Sequence, residues 1–546
     1  MRPLGAAEAF AQADNAPPPL AEAAPARGRV RLLALCVFAL LLLLAGRAVQ
    51  LAFSGDPLAS PRRNAAVAVV PRADITDRNG VLLVTTVRAY ALTAEPQRVW
   101  DAPNVANSLL AQFPDLDRAA LVRRLTDTDR RLVYLRRSLS EEERARVHAL
   151  GLPGIGFEAE DRRTYPQGTL AAHVLGFTDV DLNPLAGVER GLDQDIRAAG
   201  AAGRTVRLSI DVRIQYALEQ ELAAAAASAH ASGGAAILLD GRSGEALAFA
   251  SWPAFNPNEA GRAPDNARRD RVAGDVHELG STINTFTVAM ALQEELTTSG
   301  ELFDLSQPLI AGGSRIEDHE PYNGRASLRQ ILERSSNIGA GRLALRLGAQ
   351  RQRTYLERLG LTTPARIEVA RNETPIAPAL NAPRDVAGLG FGYNLAASPV
   401  ALAGAYTVFV NGGARVEPTL IARDPDAPVE RAPVFSTDVT RQLVSYLRSV
   451  VTGGTGRAAD VPGLAVAGKT GTAEKLGGET YEEGRNFSSF AGIFPASDPR
   501  YVIVVALDDT PEGAAGGAVA APAVARTLRR IAPMLGLRVE QRAPAR

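Results

Sequence analysis

Cysteine is almost absent from this sequence. Cys36 is the single one in 546 residues, so neither an intramolecular disulfide nor a cysteine-based metal site can form. Histidine is nearly as scarce: the 5 present are scattered without ligand spacing, so no metal is expected, and no organic cofactor is indicated. Excess charge of either sign is missing too. Lys+Arg and Asp+Glu both number 60, a formal net charge of +0, which gives no footing to a nucleic-acid partner held by basic excess. No fixed-period repeat occurs, which argues against a solenoid. What remains is ordinary globular composition, 46% hydrophobic and 22% charged. The chain is too long for one core, so two or three domains are expected.

One long apolar run does occur. Leu32 to Gly46, "LLALCVFALLLLLAG", carries no charge, and with "RAVQLAF" it reaches the ~20 residues that cross a bilayer. Arg27, Arg29 and Arg31 precede it, which places residues 1–28 in the cytoplasm as an Ala/Pro-rich disordered tail. Residues 29–53 are expected to be a transmembrane helix. A cleaved signal peptide would have a shorter apolar region followed by a small-residue cleavage site, so the anchor is expected to stay. Everything after Phe53 would then lie outside the cytoplasm, in the periplasm.

Residues 54–204 carry short, mixed signals and no cluster resembling a reaction centre. "ADITDRNGVLLVTTV" predicts two strands about an Asn79-Gly80 turn. "LVRRLTDTDRRLVYL" and "SEEERARVHAL" read as helices, the second opened by a Ser140/Glu143 capping box. The bland reading is a spacer or docking module. From residue 205 to 537 the pattern changes. A helix with an Asp211 cap, a hairpin over Gly233 to Ser251, late strands in "SSFAGIFPA" and "YVIVVALDD", and a helix in "APAVARTLRRIAPML" follow in order. Helices before and after an antiparallel sheet predict a layered α/β (α+β) domain rather than alternating βαβ units. Residues 538–546 are a polar tail.

Three motifs stand in this second domain: Ser281-Thr282-Ile283-Asn284 after a tight turn, Ser335-Ser336-Asn337 after an amphipathic stretch, and Lys469-Thr470-Gly471-Thr472 on a segment suited to a strand lining a cleft. Each alone is weak, and each has a bland alternative: Ser335 as a helix cap, Lys469 as a solvated charge. Together, in this order and at these separations, they match the serine acyltransferases that recognise penicillin.

With the blocks "DITDRNG", "YLRR", "LPGI", "RTYPQGTLAAHVLGFTD", "GVER", "LSIDVRIQ", "HELGST", "SSNIG", "GFGY", "VNGG", "TGGTG" and "GKTGTAEK", the sequence resembles the class B penicillin-binding proteins. It is most similar to the division-specific, FtsI-type peptidoglycan D,D-transpeptidases of Gram-negative bacteria, from the membrane segment onward. The resemblance implies a pedestal (dimerisation-like) domain below a transpeptidase domain whose antiparallel sheet lies between helical layers. It implies that Ser281 attacks the penultimate D-Ala of a stem peptide and that a neighbouring amine resolves the acyl-enzyme. Ser335 would relay protons and Asn337 hold the acyl amide. Lys469 would bind the substrate carboxylate, with Thr470, Gly471 and Thr472 lining the strand. β-Lactams and a divisome glycosyltransferase are the other implied partners.

The sequence departs from that pattern at Asn284, where the family carries a lysine one helical turn after the serine. A carboxamide has no basicity near neutrality and cannot collect the serine proton; loss of a general base typically costs ~10²–10⁴ in rate. His277, and Lys469 acting through Ser335, are the candidate substitutes, though the turn before Ser281 is expected to point His277 away. Activity is therefore expected to be impaired. The competing reading is an inactive, membrane-anchored divisome scaffold that retains the fold. The Gly/Ala-rich stretch Gly513 to Pro522 reads as a relaxed loop beside the cleft.

Overall fold

The computed structural model describes residues 27–53, 72–377, 379–477 and 480–539, and the chain divides into two compact units, Met1–Val69 and Val70–Arg546. Of the tail expected over residues 1–28, residues 1–26 lie outside the described residues, as do the last residues of the polar tail, 540–546. In the first unit, helix α1 spans Arg27–Phe53, 27 residues, and the segment expected as an anchor is indeed helical. No helix among the described residues is long and apolar enough to cross a membrane.

The second unit begins with a small sheet. Strands β1 (Ile75–Thr76) and β2 (Leu82–Ala94) pair antiparallel about the expected turn. Asp77 Oδ1 accepts the amides of Asn79 and Val81, both at 2.8 Å. Gly80 takes φ +87°, a region nearly closed to other residues. Helices α2 (Ala102–Gln112) and α3 (Arg118–Leu125) follow, then strand β3 (Val133–Leu139). The helix predicted over 121–135 is thus half right. Thr126 to Asp129 compete for the backbone and end α3, and Val133-Tyr134 prefer the pleated conformation. Helix α4 (Glu141–His148) opens on the expected capping box: Glu143 N donates to Ser140 Oγ at 3.1 Å and Ser140 N donates to Glu143 Oε2 at 2.8 Å. Strand β4 (Ile155–Thr164) pairs with β2, and β5 (Val206–Arg207) pairs with β1.

This lobe has its own small core, centred on Leu92, Leu109, Leu125 and Leu139. Nearer the rest of the unit it is pinned by a buried charge cluster. Glu189, fully buried, accepts from Arg72 Nε at 3.0 Å and from Arg163 Nε at 2.6 Å. Removing one member of such a cluster leaves an uncompensated buried charge, at ~3–5 kcal/mol.

The larger part is a sheet between helical layers. Helix α5 (Val212–Ser228) has the expected Asp211 cap. Strands β6 (Gly233–Asp240) and β7 (Ala246–Trp252) form the predicted hairpin. With β8 (Ala467–Gly477), β9 (Thr480–Phe494) and β10 (Tyr501–Pro511) they make one antiparallel sheet in the order β8-β9-β10-β6-β7. The two-residue period of a strand sorts alternate side chains to opposite faces. Ala236, Leu238, Ile503 and Val505 join the core containing α5 residues, while Ala235, Ile237, Val502 and Val504 join the other. Both faces being covered, Tyr501–Leu507 of β10 read as an unbroken apolar run. Helix α6 (Asn284–Gln293), α7 (Leu328–Arg334), α8 (Asn337–Arg358), α9 (Pro399–Tyr406) and α10 (Thr437–Gly453) lie between the hairpin and β8 in sequence. Helix α11 (Gly516–Ile531) follows β10 and packs with α5. Cutting one fully buried side chain such as Ile503 to alanine removes roughly 2–5 kcal/mol.

Candidate active site

Ser281 sits in a single 3-10 turn, Gly280–Ile283, that runs directly into α6. Two close approaches fix that turn. Gly280 has φ +51°, and a Cβ there would stand 2.6 Å from Thr472 O on β8. A Cβ on Gly392, of the "GFGY" block, would stand 2.0 Å from Gly280 O. Thr282 adds a bond from Oγ1 to Leu279 O at 2.7 Å. The same compression appears from the strand side, where a Cβ on Gly471 would meet Leu279 O at 2.9 Å. The glycines therefore bring the backbone of β8 against the turn carrying Ser281, and no side chain fits between them.

Lys469 faces the interior. It is 0% exposed, and its Nζ donates to Ser335 Oγ at 2.8 Å and to Thr470 O at 3.0 Å. Burial pushes its pKa down from 10.5 to about 7; no carboxylate offsets the loss of hydration. This is not the solvated strand charge of the bland reading. Of the 60 basic residues in the sequence only two are lysine, Lys469 and Lys475. Lys475 makes ordinary ion pairs, 3.6 Å from both Asp508 and Asp509. The scarcity of lysine was visible in the composition and is a signal that motif reading passes over.

Ser335 is presented by an unfavourable backbone. It lies just past α7 at φ 59°, ψ 46°, left-handed for a non-glycine residue, a conformation that costs ~1–2 kcal/mol. It does not cap the next helix: Ser336 does, accepting Gly339 N at 3.0 Å and donating to Asp318 Oδ2 at 2.7 Å. Asp318, which no sequence motif marked, also takes Ile338 N at 2.9 Å. With Ser336 on the cap, the Ser335 hydroxyl is left for Lys469. Asn337 donates from Nδ2 to Glu317 O at 3.2 Å, which turns its amide toward that loop.

On β8, Thr470 Oγ1 lies 2.8 Å from Thr455 Oγ1, a residue of the "TGGTG" block. Thr472 is exposed and its Oγ1 accepts Gly516 N at 3.1 Å. The Gly/Ala-rich stretch is therefore not a relaxed loop. It starts α11, and a Cβ on Gly516 would fall 2.4 Å from Gly471 O, so glycine is required by contact.

Asn284 is the anomaly. It is 0% exposed, and neither Oδ1 nor Nδ2 has a hydrogen-bond partner. An orphaned buried polar group costs ~1–3 kcal/mol, so this side chain occupies its place at a loss. The His277 ring stacks on Phe487, centroids 4.1 Å apart at 8°, and burial lowers its pKa. Among the described residues no group of three or more His, Cys, Asp or Glu is placed to hold a metal ion.

Residues 234–529 match the model of the penicillin-binding-protein transpeptidase domain, and residues 67–198 that of the penicillin-binding-protein dimerisation domain. The chain is 39% identical to the probable peptidoglycan D,D-transpeptidase FtsI of Caulobacter vibrioides, over 86% of this chain and 82% of that one. It is 32% identical to the peptidoglycan D,D-transpeptidase FtsI of Escherichia coli K12, over 83% and 81%. Its fold is similar to the crystal structure of penicillin-binding protein 3 of Mycobacterium tuberculosis complexed with aztreonam, with TM-score 0.67 and 24% identity over 86% of this chain and 97% of that one.

Proposed function

From the premise that this chain belongs to the penicillin-binding-protein transpeptidase family, we propose that it cross-links peptidoglycan stem peptides in septal wall synthesis. The acyl ester forms on Ser281, at a rate held down by Asn284. One observation carries the reading: β8 closes against the Ser281 turn while Lys469 Nζ reaches Ser335 Oγ at 2.8 Å. A chain that had abandoned acyl transfer has no use for a buried amine or a strained serine, each of which costs stability.

In this mechanism Ser281 Oγ attacks the carbonyl carbon of the penultimate D-Ala, and the terminal D-Ala leaves as an amine. The backbone amides of Ser281 and Thr472 stabilise the tetrahedral oxyanion. Thr470 and Thr472 line the strand edge along which the substrate backbone lies, and Asn337 holds its acyl amide. A neighbouring stem peptide supplies the amine that attacks the ester, and Ser281 is released. β-Lactams enter as acylating analogues.

Anchoring in the inner membrane with a periplasmic cleft is part of the proposal. It rests on the uncharged run Leu32–Gly46, whose Leu35, Phe38 and Leu43 are 69%, 62% and 71% exposed, and on the arginines before it. That run rises only ~22 Å, so Arg47 must snorkel if a ~30 Å core is to be crossed. A membrane-embedded glycosyltransferase of the divisome is the partner such an anchor and pedestal would meet. The unpartnered Asn284 amide favours a second reading, a scaffold without acylation.

Labelling of the full-length protein in detergent by a fluorescent penicillin separates the two. The transpeptidase reading expects slow labelling that maps to Ser281 and is lost in Ser281→Ala. It expects Asn284→Lys to label ~10²–10⁴ faster. If the native chain stays unlabelled over hours, the transpeptidase reading is wrong, and labelling of Asn284→Lys beside it supports the scaffold.

A further inference from the structure

The site retains one lysine and has lost another, and the composition says which property was kept. We propose that Lys469, acting through the Ser335 hydroxyl, is the general base that takes the Ser281 proton in this chain; this deepens the transpeptidase reading and rests on it.

If position 469 needed only a cation to hold a substrate carboxylate, arginine would serve, and its planar fork serves better. The chain uses arginine for every basic residue but two. An arginine cannot give up its proton near neutral pH, whereas a buried amine can. The setting at 469 is of the second kind. Lys469 is fully buried, bonded only to a hydroxyl and a carbonyl, and depressed to about 7 by burial alone. Its neutral form can keep one N–H on Thr470 O and turn the lone pair to Ser335 Oγ, since a 2.8 Å separation suits either direction of donation. Asn284 lacks basicity, and the His277 ring is engaged in a stack on Phe487.

The proton balance closes. As Ser281 Oγ bonds to the carbonyl carbon, its proton passes to Ser335 Oγ while the Ser335 proton passes to Lys469 Nζ, giving an ammonium and a tetrahedral oxyanion. When the C–N bond breaks, the ammonium returns a proton through Ser335 to the departing amine, and Lys469 is neutral again. The acceptor amine loses its proton along the same path as it attacks the ester, and that proton goes back to Ser281 as the ester C–O bond breaks. No external oxidant, reductant or metal enters.

The test is the second-order acylation constant of the full-length chain with a fluorescent penicillin. For the native chain it should rise about tenfold per pH unit toward pH 7 and level off above it. Lys469→Arg keeps the cation and loses the base, so it should fall ~10²–10⁴. Asn284→Lys/Lys469→Arg, with a base back on α6, should recover to within about tenfold of Asn284→Lys. The native pH profile needs no variant, and the double variant controls for misfolding. Two results overturn the proposal: a native rate flat between pH 5 and 8, or Lys469→Arg within tenfold of native. These differ from the failure of the transpeptidase reading itself, in which the native chain is silent.

Discussion

Replacing Lys469 by methionine should stabilise the folded chain while abolishing acylation. The fall in its pKa from 10.5 to about 7 corresponds to about 5 kcal/mol of preference for the neutral form. At pH 7 the unfolded chain carries the proton and the folded chain carries half of one, so burial of the amine costs the fold about 4 kcal/mol. Methionine has nearly the same length and no charge. Against that gain stand the bonds to Ser335 Oγ and Thr470 O, worth ~0.5–1.5 kcal/mol each. The net expectation is roughly 1–3 kcal/mol of added stability at pH 7. The sign with pH follows from linkage: between pH 7 and 10.5 the unfolded chain binds more protons, so native stability rises through that window. The variant lacks that rise, and the two converge or cross by pH 10. The assay is the urea midpoint of each protein at pH 7, 8.5 and 10, compared between variants because a multidomain chain need not unfold in two states. A variant that is less stable at pH 7, with the native slope unchanged, would refute the reasoning about the buried amine.

Other substitutions probe the frame around it. Gly280→Ala puts a Cβ 2.6 Å from Thr472 O at a positive φ, and should cost ~1–3 kcal/mol with an acylation loss of tenfold or more, read by unfolding and labelling. Glu189→Gln breaks the buried cluster with Arg72 and Arg163 and should lower stability by ~3–5 kcal/mol, visible as earlier proteolysis within residues 72–204. Glu219 has its pKa raised by burial from 4.5 to about 7, so the stability it permits is full below pH 4.5 and lost as pH rises through 7. Glu219→Gln keeps the acceptor for Ala171 N and should gain roughly 1–3 kcal/mol at pH 8 and nothing at pH 4, by urea midpoints.

The strands and hairpin of the larger domain were legible because both faces of the sheet are buried, so Ala235–Leu239 of β6 and Tyr501–Leu507 of β10 are continuous apolar runs. Caps were legible where the side chain acts locally, as at Ser140 and Asp211. The break after Leu125 was missed because helix and strand share one charged, Arg-rich stretch. At the site the three motifs gave the residue types but not their settings. Which serine caps α8 depends on Asp318, eighteen residues earlier. The need for Gly516 depends on Gly471, far off in the chain. The isolation of the Asn284 amide is a property of what surrounds it in space. None of these has a local pattern.

The central claim, that Lys469 can be neutral where the serine must lose its proton, is open to direct observation because the chain has only two lysines. Lysine labelled with ¹³C at Cε in a Lys475→Arg protein leaves one side-chain signal to follow by NMR through a pH titration. The account predicts a midpoint at about 7 for that signal; a midpoint above 10 would contradict it.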